Sequence, residues 1–447
     1  MKMAKRQSHT PGTRPGGSLA KFRWVALPAA MIACTALMPN RTNGEGFRNP
    51  PPGSFDLGRA GGRIAQVDDS SAVQQNPANL VDVPSAQFQF TPSFVYIKAD
   101  FTAANGQTAS TIDPWKVLPN VFGSVPLLDG KLAIGLGVTV PYGLANEWDK
   151  NSSAFAQPTG ALRYTAPYDA ELQTINVNPA ASLKLGDHLQ VGAGLDVMWS
   201  QVTLKQFYPW FIFPGSTLAT PDGHLEGKGD GLGLGGNVGI TWSVTDKLRL
   251  AATYRSPITV DYSGDFTIDN VTPFASAIGV TPRSDFSTQI GFPTIVSGGV
   301  GYQINDTLRV ETDFEWVQFS RFKSLNLGVG NNAVLLPSTS VAQNWRDTFT
   351  AGIGADWKFA SNWVLRGGYQ FYQTPVPDST FSPTIPDADQ NVITIGVAYT
   401  YKHHSLEAAY GADFYNTRHI TGDQNPAYNG TYDFTVHLFS LAYRYSF

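Results

Sequence analysis

Fourteen stretches of this chain alternate apolar and polar residues with a period of two, and they leave little freedom in what it can fold into. They run over 86–97, 115–126, 131–142, 171–184, 188–206, 230–244, 247–262, 286–303, 307–321, 345–359, 363–372, 391–402, 405–415 and 432–447. Successive side chains of a strand point to opposite faces, so each stretch reads as a strand with two unlike sides. After Thr307, Leu308, Val310, Thr312, Phe314 and Trp316 share one face, and Arg309, Glu311, Asp313 and Glu315 share the other. Leu248, Leu250, Ala252 and Tyr254 alternate in the same way with Arg249 and Arg255, as do Leu406, Ala408, Tyr410 and Phe414 with Glu407 and Asp413. A face this charged needs water, and the opposite face needs an apolar medium.

The links between the runs alternate in length. Short ones fall at Asp129-Gly130, Gly186-Asp187, Thr245-Asp246, Asn305-Asp306, Ala360-Ser361-Asn362 and Lys402-His403-His404, with turn-forming residues. Long ones cover 98–114, 143–170, 207–229, 263–285, 322–344, 373–390 and 416–431. Tight turns on one rim and long loops on the other predict an all-β fold, a 14-stranded antiparallel transmembrane β-barrel over 85–447. Its expected place is the outer membrane of a Gram-negative cell, with both mature termini on the periplasmic side. Closure removes the sheet edge, where each orphan amide in hydrocarbon would cost several kcal/mol. The final run sets Phe439, Leu441, Tyr443, Tyr445 and Phe447 on one side and resembles the C-terminal signal of such barrels.

Export is the matching requirement. Lys2, Lys5, Arg6, Arg14, Lys21 and Arg23 precede an apolar run from Trp24 to Met38, which reads as a secretory signal within residues 1–44. Cys34, the only cysteine, lies inside it, so no disulfide is expected in the mature chain. A net charge of −4 without a basic patch argues against a nucleic-acid partner. No catalytic, metal or cofactor site is expected. Gly231, Gly233 and Gly236 have dinucleotide-loop spacing but sit in a strand, and His403-His404 lies in a turn without carboxylate or thiol partners.

A closed sheet of this size leaves a bore that must be filled or gated. The stretch Gly53–Leu80, rich in Gly, Asp, Ser and Gln and without either periodicity, is the expected stopper, within an N-terminal hatch at 45–84. Arg59, Arg63, Asp68 and Asp69 are candidates to pair with the charges at Arg309, Glu311, Asp313 and Glu315. In the third run, Gly135, Gly137 and Pro141 all weaken ladder pairing and mark a candidate gap in the wall. Phe207, Tyr208, Trp210, Phe211, Ile212 and Phe213 crowd the third long loop, as packing between loops or as a capture surface for a hydrophobic ligand.

Several segments resemble the FadL family of outer-membrane transporters for long-chain fatty acids and other hydrophobic compounds. They are Gly58-Arg59-Ala60, Asn76-Pro77-Ala78, Tyr142-Gly143-Leu144-Ala145, Tyr254-Arg255-Ser256, Trp345-Arg346-Asp347-Thr348, Pro375-Val376-Pro377 and Ile385-Pro386-Asp387. Their order is kept from about Gly46 to Phe447. The resemblance implies an N-terminal hatch inside a 14-stranded barrel and a kinked third strand that opens the wall. It further implies a ligand path from extracellular loops to a lumen pocket and sideways into the membrane. It places Asn76, Pro77 and Ala78 as the plug beside the wall gap, and Arg346 as a headgroup contact. Gln390 stands where fatty-acid members carry Arg, which keeps neutral hydrocarbons and aromatics open as cargo. The expected partners are a hydrophobic small molecule, outer-membrane lipid and lipopolysaccharide, around a monomer. Other readings are a surface adhesin or receptor, or a lipid hydrolase drawing on His188, His224 or His437.

Overall fold

The computed structural model describes residues 45–336 and 338–447; the expected export signal, 1–44 with Cys34, lies outside them. Fourteen wall strands follow in chain order. The first is Gln87–Phe90 with Ser93–Ala103, the second Trp115–Leu118 with Val121–Leu127, and the third Leu132–Thr139 with Gly143–Trp148. The fourth to sixth are Asp169–Leu185, Leu189–Tyr208 and Gly223–Ser243. The seventh (Leu248–Arg255, Ile258–Ile268) and eighth (Arg283–Phe292, Ile295–Asn305) are each interrupted once. Then come Leu308–Val317, Thr348–Ala360, Trp363–Tyr372, Gln390–Tyr401, His404–Tyr415 and Gly430–Ser446. Each strand is antiparallel to its neighbours, and the last pairs with the first from Gln87↔Ser446 to Ala103↔Gly430, closing the ring.

The burial of side chains is inverted relative to a water-soluble sheet. In the ninth strand Glu311, Asp313 and Glu315 are buried, while Phe314 is 52% exposed on the outside. Leu232, Leu234, Ile353, Leu406 and Leu441 are likewise exposed on the outer face. Such a band requires an apolar medium, since removing each large apolar side chain from water is worth about 1.5–3 kcal/mol. Several strands run past the expected ends: the fifth reaches Tyr208 and the sixth starts at Gly223, so the third long loop shrinks to 209–222.

Residues 45–86 fill the bore. Two short helices, Ser54–Gly58 and Ala72–Gln75, are followed by a 3-10 turn, Pro77–Asp82, before the first wall strand. Asn76 caps that turn by accepting the Ala78 amide at 3.1 Å, and Pro77 occupies its first position, where a missing N–H costs nothing. The wall receives this segment at inward-facing glycines. A methyl group on Gly301, Gly352 or Gly354 would stand 2.6 Å from Gln66, Gly61 or the Arg59 carbonyl. Real carbon contacts do not come that close, so glycine lets backbone lie on backbone at 352 and 354 and makes room for the Gln66 side chain at 301.

The ladder between the second and third strands is broken. It runs from Leu127↔Leu132 to Val121↔Val138 and resumes only where Thr108–Ile112 meets the upper third strand, at Ile112↔Glu147 and Thr111↔Trp148. Residues 113–120 and 139–146 therefore face one another without pairing, although the third strand stays joined to the fourth at Thr139↔Asn176 and Gly143↔Gln173. Pro141 sits at the break and has no amide to donate. Gly135 and Gly137 do not: both lie below it, paired on both flanks. Their smallness serves the inner segment instead, since a methyl on Gly135 would meet Val73 Cγ2 at 2.6 Å.

Candidate functional site

Glu311 is the centre of the clamp that holds the inner segment. Its carboxylate accepts the backbone amide of Ala65, that of Ile64 at 2.6 Å and that of Gln66 at 2.9 Å, together with Arg59 Nη2 at 2.9 Å. Arg59, 1% exposed, also pairs with Asp356 and lies 4.7 Å from the Phe55 ring centre. Asp356 in turn receives Arg309 and Arg366. Asp68 pairs with Arg309 at 2.7 Å, Arg63 with Glu315 at 3.1 Å, and Asp313 accepts the Arg63 amide at 2.6 Å. Asp69 departs from the expected set: it pairs with Arg444 of the last strand at 3.5 Å and caps Ser71. Buried charges are tolerated only when matched in this way.

Asn76, Pro77 and Ala78 do not pair with the broken strand. Asn76 Nδ2 donates to Ile64 O at 2.8 Å and Thr241 Oγ1 at 2.9 Å, and Ser182 Oγ donates to Ala78 O at 2.6 Å. The triplet thus lies on Gly192 and Gly239 of the fifth and sixth strands, where a side chain would overlap it. The broken third strand is met instead by Phe47–Asn49. Asn49 N donates to Pro141 O at 3.0 Å, Gly143 N donates to Phe47 O at 2.8 Å, and Asn49 Nδ2 donates to Val140 O at 2.8 Å. Phe47 was not singled out from the sequence. Its ring is buried among Tyr142, Phe292, Phe319, Phe322 and Trp345, with centroids 5.0 to 6.0 Å away. A lone Phe in a Gly-, Asn- and Pro-rich approach to the inner segment was the available signal.

Two cavities flank this aromatic knot. The lower one lies between the inner segment, the third-strand break at Thr139–Tyr142 and the wall at Val392 and Leu438, with a cavity volume of about 90 Å³. The upper one, about 160 Å³ among the long loops, is lined by Phe286, Phe322, Leu325, Leu327, Leu336 and Val341 among others. Phe322 borders the upper cavity and Tyr142 the lower, and Phe47 touches both rings. The six aromatic and aliphatic residues expected to capture ligand border neither cavity. Phe207 packs on Tyr168 and Arg163, Tyr208 on Trp210, Phe211 on Tyr164, and Phe213 on Phe274 of the fourth loop; Ile212 points outward. Trp210 donates Nε1 to Asp269 O at 3.0 Å. Nor does Arg346 face a cavity: its side chain is exposed and its amide is held by Pro375 O, while its neighbour Trp345 turns inward.

One buried acid in the inner segment gives a pH dependence. Burial, with Asp69 adding repulsion, pushes the Asp56 carboxyl up to about 8; Gln75 Nε2 donates to it at 3.2 Å, and its Oδ1 has no partner. A raised folded-state value means the seated segment prefers the protonated acid. That stability is complete below the ordinary carboxyl value near 3.9 and is lost as pH rises through about 8. Amide exchange of 54–58, corrected for its intrinsic rate, is expected to quicken severalfold between about pH 6 and pH 9, and to lose that dependence in Asp56→Asn.

Comparison with known proteins supplies the remaining finding. A family model described as outer membrane protein transport protein (OMPP1/FadL/TodX) matches residues 37–447. The chain is 26% identical over 457 residues to the long-chain fatty acid transport protein of Escherichia coli O6:H1, covering 94% of this chain and 98% of that one. Its fold is similar to the crystal structure of a Pseudomonas aeruginosa FadL homologue, with a TM-score of 0.76, 23% identity, and 90% and 100% of the two chains covered. It is likewise similar to that of the Pseudomonas putida toluene transporter TodX, at 0.72 and 19%, with 90% and 100% covered.

Proposed function

The chain belongs to the OMPP1/FadL/TodX family of outer membrane transport proteins, and from this premise we propose a route for passive uptake of hydrophobic compounds. The relatives are named for long-chain fatty acids and for toluene, so the cargo class is long acyl chains or neutral aromatic hydrocarbons. Cargo collects in the upper apolar cavity, where each buried CH2 contributes about 0.8 kcal/mol. It passes the Phe322, Phe47 and Tyr142 rings into the lower cavity. Binding there favours a state in which the inner segment, acting as a hatch, has withdrawn from the third strand; the ligand drives this shift only by binding that state better. The cargo then leaves sideways through the unpaired stretch between the second and third strands.

The observation that carries this reading is the unpaired wall at 113–120 and 139–146, covered from inside by the backbone of Phe47–Asn49 and adjoining the lower cavity. The clamp on Glu311 favours a sideways exit, because a path down the bore requires breaking a buried ionic network. Uptake of labelled fatty acid and of labelled toluene, in cells with and without the protein, tests the proposal. Faster entry of one or both is expected; unchanged entry of both would contradict it.

A further inference from the structure

We infer that the upper rim of the barrel binds a phosphorylated lipid of the outer leaflet, through Arg321, Lys323 and Arg346 on the outside of the wall. The site depends on the chain being an outer-membrane barrel and not on the route its cargo takes. Simple alternation brings the three cations together. Arg321 and Lys323 flank Phe322, and Arg346 follows Trp345. Phe322 and Trp345 turn inward, where their ring centroids lie 4.9 Å apart, and the charged neighbours are exposed on the opposite side. Trp345 N donates to Phe322 O at 3.3 Å and Gln343 N to Lys323 O at 2.8 Å, so the two cation-bearing segments lie side by side.

None of the three side chains has an ion pair or a hydrogen bond among the described residues. Other cations of the same rim are matched: Arg283 with Asp265 at 2.7 Å, Arg418 with Asp378 at 2.6 Å and Lys98 with Asp100 at 2.9 Å. Asp347, the acid next to the cluster in sequence, accepts the Ser320 amide at 3.0 Å. The cluster therefore keeps an excess of positive charge that the chain itself does not answer.

Its height selects the partner. Phe314 and Phe349 stand outward just below it, 52% and 49% exposed with ring centroids 5.5 Å apart, in the upper part of the apolar band. Arg346 lies three residues beyond Phe349, about 10 Å along the strand and roughly 7–8 Å in height once the strand tilt is counted. The headgroup layer is about 5–8 Å deep on each side of the hydrocarbon, so the cations stand at the level of lipid phosphates. A lipid can lay its tails on the apolar wall while its phosphate meets the guanidinium forks and the ammonium group, a combination a soluble anion does not offer.

The test uses the whole folded protein in a neutral detergent, with lipid A carrying both phosphates as one probe and the same lipid stripped of phosphate as the other. The phosphorylated form is expected to bind more tightly, and its advantage should shrink as salt is raised. Arg321→Ala, Lys323→Ala and Arg346→Ala should each weaken it about fivefold, and the triple variant about a hundredfold, with the stripped lipid unaffected. Lys358→Ala, at the opposite rim, is the control and should bind as the parent does. All three cations are exposed, so these variants are expected to fold. Equal binding of the two lipids, or a triple variant as tight as the parent, would overturn the site. Displacement of the lipid by inorganic phosphate beyond that caused by chloride of equal ionic strength would overturn the lipid as its partner. Neither result bears on whether hydrophobic compounds are taken up.

Discussion

With Arg48 and Tyr142 both replaced by cysteine in a Cys34→Ser background, oxidation is expected to cut uptake of a labelled hydrophobic compound about tenfold or more, and reductant to restore it. Arg48 and Tyr142 are opposed in antiparallel register, flanked by the Asn49 N to Pro141 O and Gly143 N to Phe47 O bonds. Such a non-hydrogen-bonded pair brings Cα atoms to about 4.5 Å, inside the range of about 4.4–6.8 Å that a disulfide spans. The bridge would hold the inner segment across the unpaired wall. Each single cysteine variant is the control, because loss of Arg48 alone releases Glu45 and Glu315. Full uptake through the oxidised protein would remove the segment's withdrawal from the route.

Glu311→Ala is expected to unseat the inner segment while the barrel stays closed. The substitution takes an acceptor from three backbone amides and from Arg59, a guanidinium that is 1% exposed. Removing one partner of a buried charge pair costs about 3–5 kcal/mol, which shifts a seated-to-released equilibrium by two to three orders of magnitude or more, roughly. Trypsin should then cut after Arg59 or Arg63, both protected in the parent, and small hydrophilic solutes should leak through the bore. Glu311→Gln, which keeps the shape and loses the charge, should fall between. A Glu311→Ala protein as resistant and as tight as the parent would show that the clamp does not hold the segment in place.

The barrel was legible in the sequence because its physics is local. Alternation at Arg309, Glu311, Asp313 and Glu315 against Phe314 and Trp316 states which face is wet without knowledge of any distant residue. The ionic partners of Arg59, Arg63 and Asp68 followed from the same logic, since charges buried in a bore must find opposite charges facing it. What depends on distant packing was misread. Glycine at 135 and 137 looked like a weakened ladder, yet its purpose is to admit Val73 from the inner segment. Gly231 and Gly233, set aside as a chance match to a nucleotide loop, receive the inward-bent seventh strand; a methyl there would meet Val260 at 2.9 and 2.8 Å.

The ligand surfaces were the least legible part. The third loop drew notice because its aromatics are dense, but dense aromatics satisfy one another, and Trp210 and Phe213 do so. The upper cavity is built by Leu325, Leu327, Leu336 and Val341 from a fifth loop without periodicity, so composition gave them no prominence. Arg346 and Trp345 differ by a single step near a strand start, where the inside-outside phase is not yet set by the ladder.

The central claim is that cargo leaves through the wall and not along the bore. A long-chain alkyl probe with a photoreactive group at its tail, bound to the intact protein in lipid and then illuminated, tests it most directly. Exit through the wall predicts adducts concentrated on residues 139–142, which line the lower cavity, and on 113–120 across the unpaired ladder. Adducts absent there and gathered beneath the inner segment, around Asp82 and the turn at Leu128–Gly130, would mean that the path runs down the bore and that the gap is not the exit.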